Sequence, residues 1–180
     1  MSRKFSAFFC AAWRVVCDKA FTGYRLLSPS HGDKAAWIIF FKKFMITYKT
    51  GNDLDLDAVI ELYRVSTLGE RRPVDERERM RLMLQNANLV ITAWDGDLLV
   101  GISRSLTDFA YATYLSDLAV RLSHQRSGIG KELMRRTQAA APQAMVILLA
   151  APAAEKYYPH VGFTPHPQAW ILRAGQQIQP

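Results

Sequence analysis

Cysteine is nearly absent: the 180 residues contain two, Cys10 and Cys17, and residues 45–180 contain none. That longer part therefore has no thiol nucleophile, disulfide or thiolate metal site, and a reducing, cytoplasmic setting is the expectation. Long apolar runs are missing as well. Phe5–Trp13 and Ala35–Phe41 are the longest nearly apolar stretches, far short of the ~20 residues that a bilayer-crossing helix needs. The four histidines (His31, His124, His160, His166) include no pair at the close helical spacing of many zinc sites, so no metal is expected. No Gly-Lys-Ser/Thr follows a glycine loop at Walker spacing, and the full Rossmann glycine triplet is missing, which argues against nucleoside triphosphates and NAD.

Acidic residues are in deficit, with 16 Asp+Glu against 23 Lys+Arg and a formal charge of +7. The excess is local. Residues 1–44 carry eight cations against two acids, whereas residues 45–180 carry fifteen against fourteen. The longer part lacks the basic stripe of a nucleic-acid binder, and none is expected as partner.

The chain thus divides into a basic, aromatic leader (1–44) and one domain (45–180), the usual size for a single core. The leader sustains neither helical nor alternating periodicity. A secretory signal is disfavoured because Arg14 follows Phe5–Trp13 at once and no small-residue cleavage site stands nearby. Two readings remain: a membrane-surface segment, which would bring membrane contact, or translated upstream sequence that is not native. The second is favoured, because Met45 opens Met-Ile-Thr-Tyr-Lys-Thr, which reads as a first strand.

Within the domain, a strand at Ile46–Lys49 precedes a helix over about Leu54–Ser66, capped by Asn52 or Asp53, with Leu56, Val59, Ile60 and Tyr63 at helical spacing. The loop Thr67–Pro73 leads to a second helix that runs from Asp75-Glu-Arg-Glu to about Asn86. Leu89–Trp94 and Leu98–Ser105 form a hairpin across Asp95-Gly96. A strand over about 111–120, a helix ending near Ala141, a strand at Met145–Leu149, a short helix at Ala154–Tyr158 and a last strand at Ala169–Arg173 complete the order. This is an α/β (α+β mixed-sheet) pattern with helices on the sheet faces.

One segment carries binding chemistry. Asp117-Leu-Ala-Val120 ends a strand, Gln125-Arg-Ser-Gly-Ile-Gly130 turns, and Lys131-Glu-Leu-Met-Arg-Arg136 continues a helix. Small residues before a helix let a ligand approach its free N–H groups, which favour phosphate together with the helix dipole. Arg126 and Lys131 can add charge.

Gln125-Arg-Ser-Gly-Ile-Gly130 resembles the Gln/Arg-x-x-Gly-x-Gly/Ala signature of the GNAT superfamily of N-acetyltransferases, and Tyr157-Tyr-Pro-His-Val-Gly-Phe163 resembles that family's Tyr-x-x-x-Gly-Phe segment. The resemblance covers about residues 45–175. It implies a GNAT-like acyl-CoA N-acyltransferase fold with a splayed, mostly antiparallel sheet, and acetyl-CoA as co-substrate. It further implies that Leu118, Ala119 and Val120 pair with pantetheine while Gln125, Arg126, Ser127, Gly128, Ile129, Gly130 and Lys131 cradle the pyrophosphate. The implied reaction is acetyl transfer to an amine by direct attack in a ternary complex. Ala150-Ala-Pro-Ala-Ala154 stands where many members carry Asn, and this departure keeps a non-catalytic acyl-CoA sensor as the alternative. A homodimer is left open.

The resemblance also places Tyr158 near the thioester sulfur, where a phenol can protonate the departing thiolate. Tyr157 is its rival, and packing on Phe163 is the structural reading of Tyr158. An amine acceptor must lose a proton, and Asp117 and Glu70 are the candidate bases. Each is equally readable as a structural charge, Asp117 ordering the loop and Glu70 pairing with Arg71 or Arg72. The Arg71-Arg72 pair could also grip an acidic acceptor.

Overall fold

A computed structural model describes residues 46–179; the leader and Met45 lie outside the described residues. The central hairpin forms as its sequence requires. Strands β2 (Leu89–Asp95) and β3 (Leu98–Thr107) are joined by a two-residue turn in which Gly96 takes φ 59°, a left-handed value that glycine adopts without a Cβ clash. Strand β1 (Ile46–Thr50) pairs antiparallel with β2, and β4 (Ala112–Val120) antiparallel with β3. The short β5 (Met145–Ile147) pairs parallel with β4, giving a five-stranded sheet in chain order.

Alternation sends side chains to two cores. Helices α1 (Leu56–Val65) and α2 (Arg77–Gln85) cover one face through Val59, Leu62, Tyr63, Met80 and Leu84, against Val90, Leu99, Ile102 and Ala119. Helix α3 (Ile129–Ala140) covers the other with Ile129 and Leu133 on Leu89, Ile91, Ala93 and Val100. The mixed α/β fold with helices on both faces is thus realised.

Several local expectations change. The cap of α1 is Asp55, whose carboxylate accepts from the Asp57 N–H at 3.1 Å. Asn52 instead donates to the Leu84, Gln85 and Ala87 carbonyls, satisfying groups that the end of α2 leaves without helical partners. The helix expected at Ala154–Tyr158 is replaced by two 3₁₀ turns, Pro152–Ala154 and Tyr158–Val161. Pro152 and Pro159 each remove an N–H, and a five-residue helix cannot repay its own nucleation. The strand expected at Ala169–Arg173 does not form: the segment makes no ladder, and Trp170 is 93% exposed. Its composition suits a strand, but a strand needs a neighbour to pair with.

Two irregularities shape the site. Arg104 opposes Asp117 while Ser105 opposes Leu115, so Ser116 is an extra residue, a bulge in β4. Strands β4 and β5 pair only from Ala112↔Met145 to Tyr114↔Ile147 and then part.

Candidate active site

Where β4 and β5 part, a groove of about 780 Å³ opens. Leu118 and Val120 of β4 form one wall, with Leu148 and Leu149 beyond β5. The segment Gln125–Lys131 closes one end, and the 3₁₀ turn Leu68–Arg71 with Tyr157 and Tyr158 closes the rest.

The backbone before α3 has a geometry that favours anions. Arg126 (φ 60°) and Gly128 (φ 87°) both sit in the left-handed region, bending the chain immediately before α3. Successive N–H groups in such turns form anion-binding concavities, and the first N–H groups of a helix have no intrahelical acceptor. A Cβ added at Gly128 meets no atom within 4 Å, so the space over it is open. Among the described residues, Arg126 and Lys131 form no ion pair and border the groove. The loop is pinned from behind. Gln125 Nε2 donates to the Val120 carbonyl at 3.0 Å, Ser127 Oγ donates to the His124 carbonyl, and His124 Nε2 lies 3.3 Å from Asp95 of the hairpin.

The residues singled out from sequence divide accordingly. Glu70, Leu118, Val120, Gln125, Arg126, Gly128, Gly130, Lys131 and Tyr158 line the groove. Ile129 is buried in the core as the anchor of α3, Ala119 is buried in the α1 core, and Ser127 acts within its own loop. Asp117 lies beneath the groove wall, its side chain fully buried.

Tyr158 is half-buried, edge-on to Phe163 (ring centroids 5.5 Å apart) and to Tyr157 (5.7 Å). Burial, reinforced by Tyr157 and opposed by Arg71, raises its phenol above the ordinary value. It is protonated at neutral pH, as a proton donor must be. Tyr157 is more exposed, and burial raises its phenol too.

Sequence reasoning missed the network under this wall. One Asp117 oxygen accepts from Arg72 Nε; the other accepts from Arg104 Nε and, at 2.8 Å, from the Tyr63 hydroxyl. Burial first, then the Asp117 charge, raises the Tyr63 phenol, keeping it a donor. Arg104 also donates to Ser116 Oγ (2.8 Å) and the Met83 carbonyl (3.1 Å). Arg72 therefore bends onto β4 while still bordering the groove, as Arg71 does. A usable signal was present: Arg104 interrupts an apolar strand, and a buried guanidinium demands a buried acid.

A sheet splayed beside a glycine turn, with helices on both faces, is the arrangement that the GNAT resemblance implies, and comparison with known proteins gives the family. The family model for the acetyltransferase (GNAT) domain matches residues 63–180, and the chain belongs to that family. It is accordingly an N-acetyltransferase. Among solved structures it is similar to a GNAT-family acetyltransferase of Streptococcus pneumoniae, with 28% identity, 72% of this chain and 99% of that one covered, and a TM-score of 0.56. It also shares its fold with an aminoglycoside acetyltransferase from an uncultured soil metagenomic sample, solved with sisomicin (22% identity, 73% and 97% covered, TM-score 0.55). A third similar fold is aminoglycoside N-acetyltransferase AAC(6')-Iy, solved with CoA (15% identity, 73% and 96% covered, TM-score 0.58). No curated protein matches the chain in a sequence search.

Proposed function

We propose that the chain transfers the acetyl group of acetyl-CoA to a primary amine of a small molecule, peptide or protein by direct attack in a ternary complex. The observation that carries this is the convergence of an anion cradle, an unpaired strand edge and a half-buried phenol on one groove. Acetyl-CoA supplies an activated thioester, and its chemistry fits what is present. The open space over Gly128 and the charges of Arg126 and Lys131 suit a pyrophosphate. The edge of β4 beyond Tyr114, which β5 does not pair, suits the amides of a pantetheine arm.

In this reading Gln125, Arg126, Ser127, Gly128, Ile129, Gly130 and Lys131 form the cradle, with Ser127 and Ile129 fixing its shape. Leu118 and Val120 border the arm, and Ala119 holds the strand to the core. The amine nitrogen forms the new C–N bond as the C–S bond breaks. Tyr158 delivers its proton to the sulfur, and the ammonium proton leaves through Glu70 or water. We assign Asp117 a structural role, because both its oxygens are engaged by guanidinium donors and its side chain is fully buried.

The test is thiol release from acetyl-CoA with spermidine, sisomicin, free amino acids and a short peptide with an unblocked N-terminus. Amine-dependent release with stoichiometric acetylated product is expected. Tight acetyl-CoA binding with no release above the amine-free control for any of them would refute transfer and favour the sensor.

A further inference from the structure

We infer that Arg72 is a positioning residue that latches the acceptor side of the groove onto the bulge of β4. The inference rests on the acetyl-transfer reading and adds to it the device that sets where the acceptor sits. Arg72 ends the Leu68–Arg71 turn, which places Glu70 and Arg71 on the groove. Its guanidinium reaches three acceptors: the Asp117 carboxylate through Nε, the Ser116 carbonyl through Nη2 at 2.7 Å, and the Arg71 carbonyl through Nη1 at 2.8 Å. The first two hold it to β4, and the third folds the end of the turn back onto the same group.

The bulge makes this possible. Ser116 has no opposite residue on β3, so its carbonyl is free to accept from a side chain. The turn is held elsewhere by Gly69, which lies close against the Tyr63–Arg64 backbone of α1, and by one apolar side chain. Leu68 is its one buried residue, and Thr67 enters it at φ 70°, an unfavourable backbone for a β-branched residue. Beside that backbone contact, two side chains of opposite character set the wall: an apolar anchor at Leu68 and an ionic one at Arg72.

The core itself does not depend on Arg72. Asp117 retains Arg104 and Tyr63 if Arg72 is removed, and the Arg72 side chain, 21% exposed against 7% for Arg104, can be replaced by water. A merely structural residue would be expected to move stability first. A latch moves the acceptor site first.

The experiment compares wild type, Arg72→Ala and Arg72→Lys. It reads the KM for whichever of spermidine, sisomicin or the short peptide the wild type acetylates, the Kd for acetyl-CoA by calorimetry, and backbone deuterium exchange over residues 67–72. For Arg72→Ala the acceptor KM rises tenfold or more, exchange in the turn accelerates, acetyl-CoA Kd stays within twofold, and free guanidinium partly restores the KM. Arg72→Lys falls between, keeping the Asp117 pair but unable to reach Ser116 and Arg71 together. An unchanged KM or unchanged exchange overturns the latch, as does a matching loss of acetyl-CoA affinity. If the wild type acetylates none of the probes, the transfer reading fails, and exchange over residues 67–72 decides the latch by itself.

Discussion

Asp117→Asn removes one negative charge from a site that holds two guanidiniums. The Asp117 side chain is fully buried, and its two oxygens receive Arg72, Arg104 and the Tyr63 hydroxyl. Arg72 can turn toward solvent, but the Arg104 side chain is 7% exposed and cannot. An asparagine also presents an amide N–H₂ to two guanidiniums that can only donate. Removing one partner of a buried ion pair costs about 3–5 kcal/mol, a large share of the roughly 5–15 kcal/mol that holds a domain folded. With a urea slope of about 2 kcal/mol per M, the unfolding midpoint falls by about 1.5–2.5 M. Equilibrium urea unfolding followed by Trp fluorescence measures it. Pairing Asp117→Leu with Arg104→Met, which removes both buried charges, recovers most of the loss. A single-variant midpoint within about 0.5 M of wild type, with the slope unchanged, contradicts the claim that this carboxylate is the charge centre of the core.

Tyr158→Phe keeps the contact with Phe163 but removes the acid, so turnover drops about a hundredfold or more with acetyl-CoA affinity unchanged, whereas Tyr157→Phe costs far less; single-turnover kinetics separate the two phenols, and equal rates in wild type and Tyr158→Phe remove the assignment. Gly130→Glu leaves the fold intact, since a Cβ there meets only Val120 Cγ2 at 3.7 Å, but sets a negative charge at the cradle. CoA affinity should fall about a hundredfold by calorimetry. Glu132 is held down to about 2, chiefly by the Arg135 hydrogen bond and further by Arg136. A depressed carboxylate stabilises the fold above its unfolded value near 4.5 and loses that contribution as pH falls toward 2. Solvent screening limits the effect, so Glu132→Gln costs under about 1 kcal/mol at pH 6, and the gap to wild type should narrow by pH 3.

Where the sequence carried its signal in local spacing, the fold was legible. The apolar stripe of Val59, Ile60 and Tyr63, the hairpin turn expected at Asp95-Gly96 and the small residues before α3 all act within a few positions, and each feature formed, the turn one residue later at Gly96-Asp97. Features that depend on a distant partner were not legible. Asn52 sits where a cap belongs but bonds the end of α2, more than thirty residues away. Ala169–Arg173 has strand composition, yet no strand edge takes it up among the described residues. At the site, the cradle could be read from adjacent residues, whereas the fate of Arg72 could not. Which of two neighbouring arginines bends onto β4 is decided by the register that brings Asp117 opposite Arg104 and frees Ser116.

Parting after three residue pairs leaves β4 with an unpaired strand edge inside the body rather than at a rim. Edges at a rim are usually guarded by charge, proline or brevity. On this one, the side chains of Arg72 and Gln125 take the Ser116 and Val120 carbonyls. An occupant with amides of its own then acts as an extra strand and completes part of the sheet. Anything that binds the folded chain in this way also stabilises it by mass action, about 2.7 kcal/mol at a hundredfold excess over Kd. On the proposed binding mode, folding and co-substrate supply are linked, and resistance to unfolding rises with the amount of acyl-CoA available.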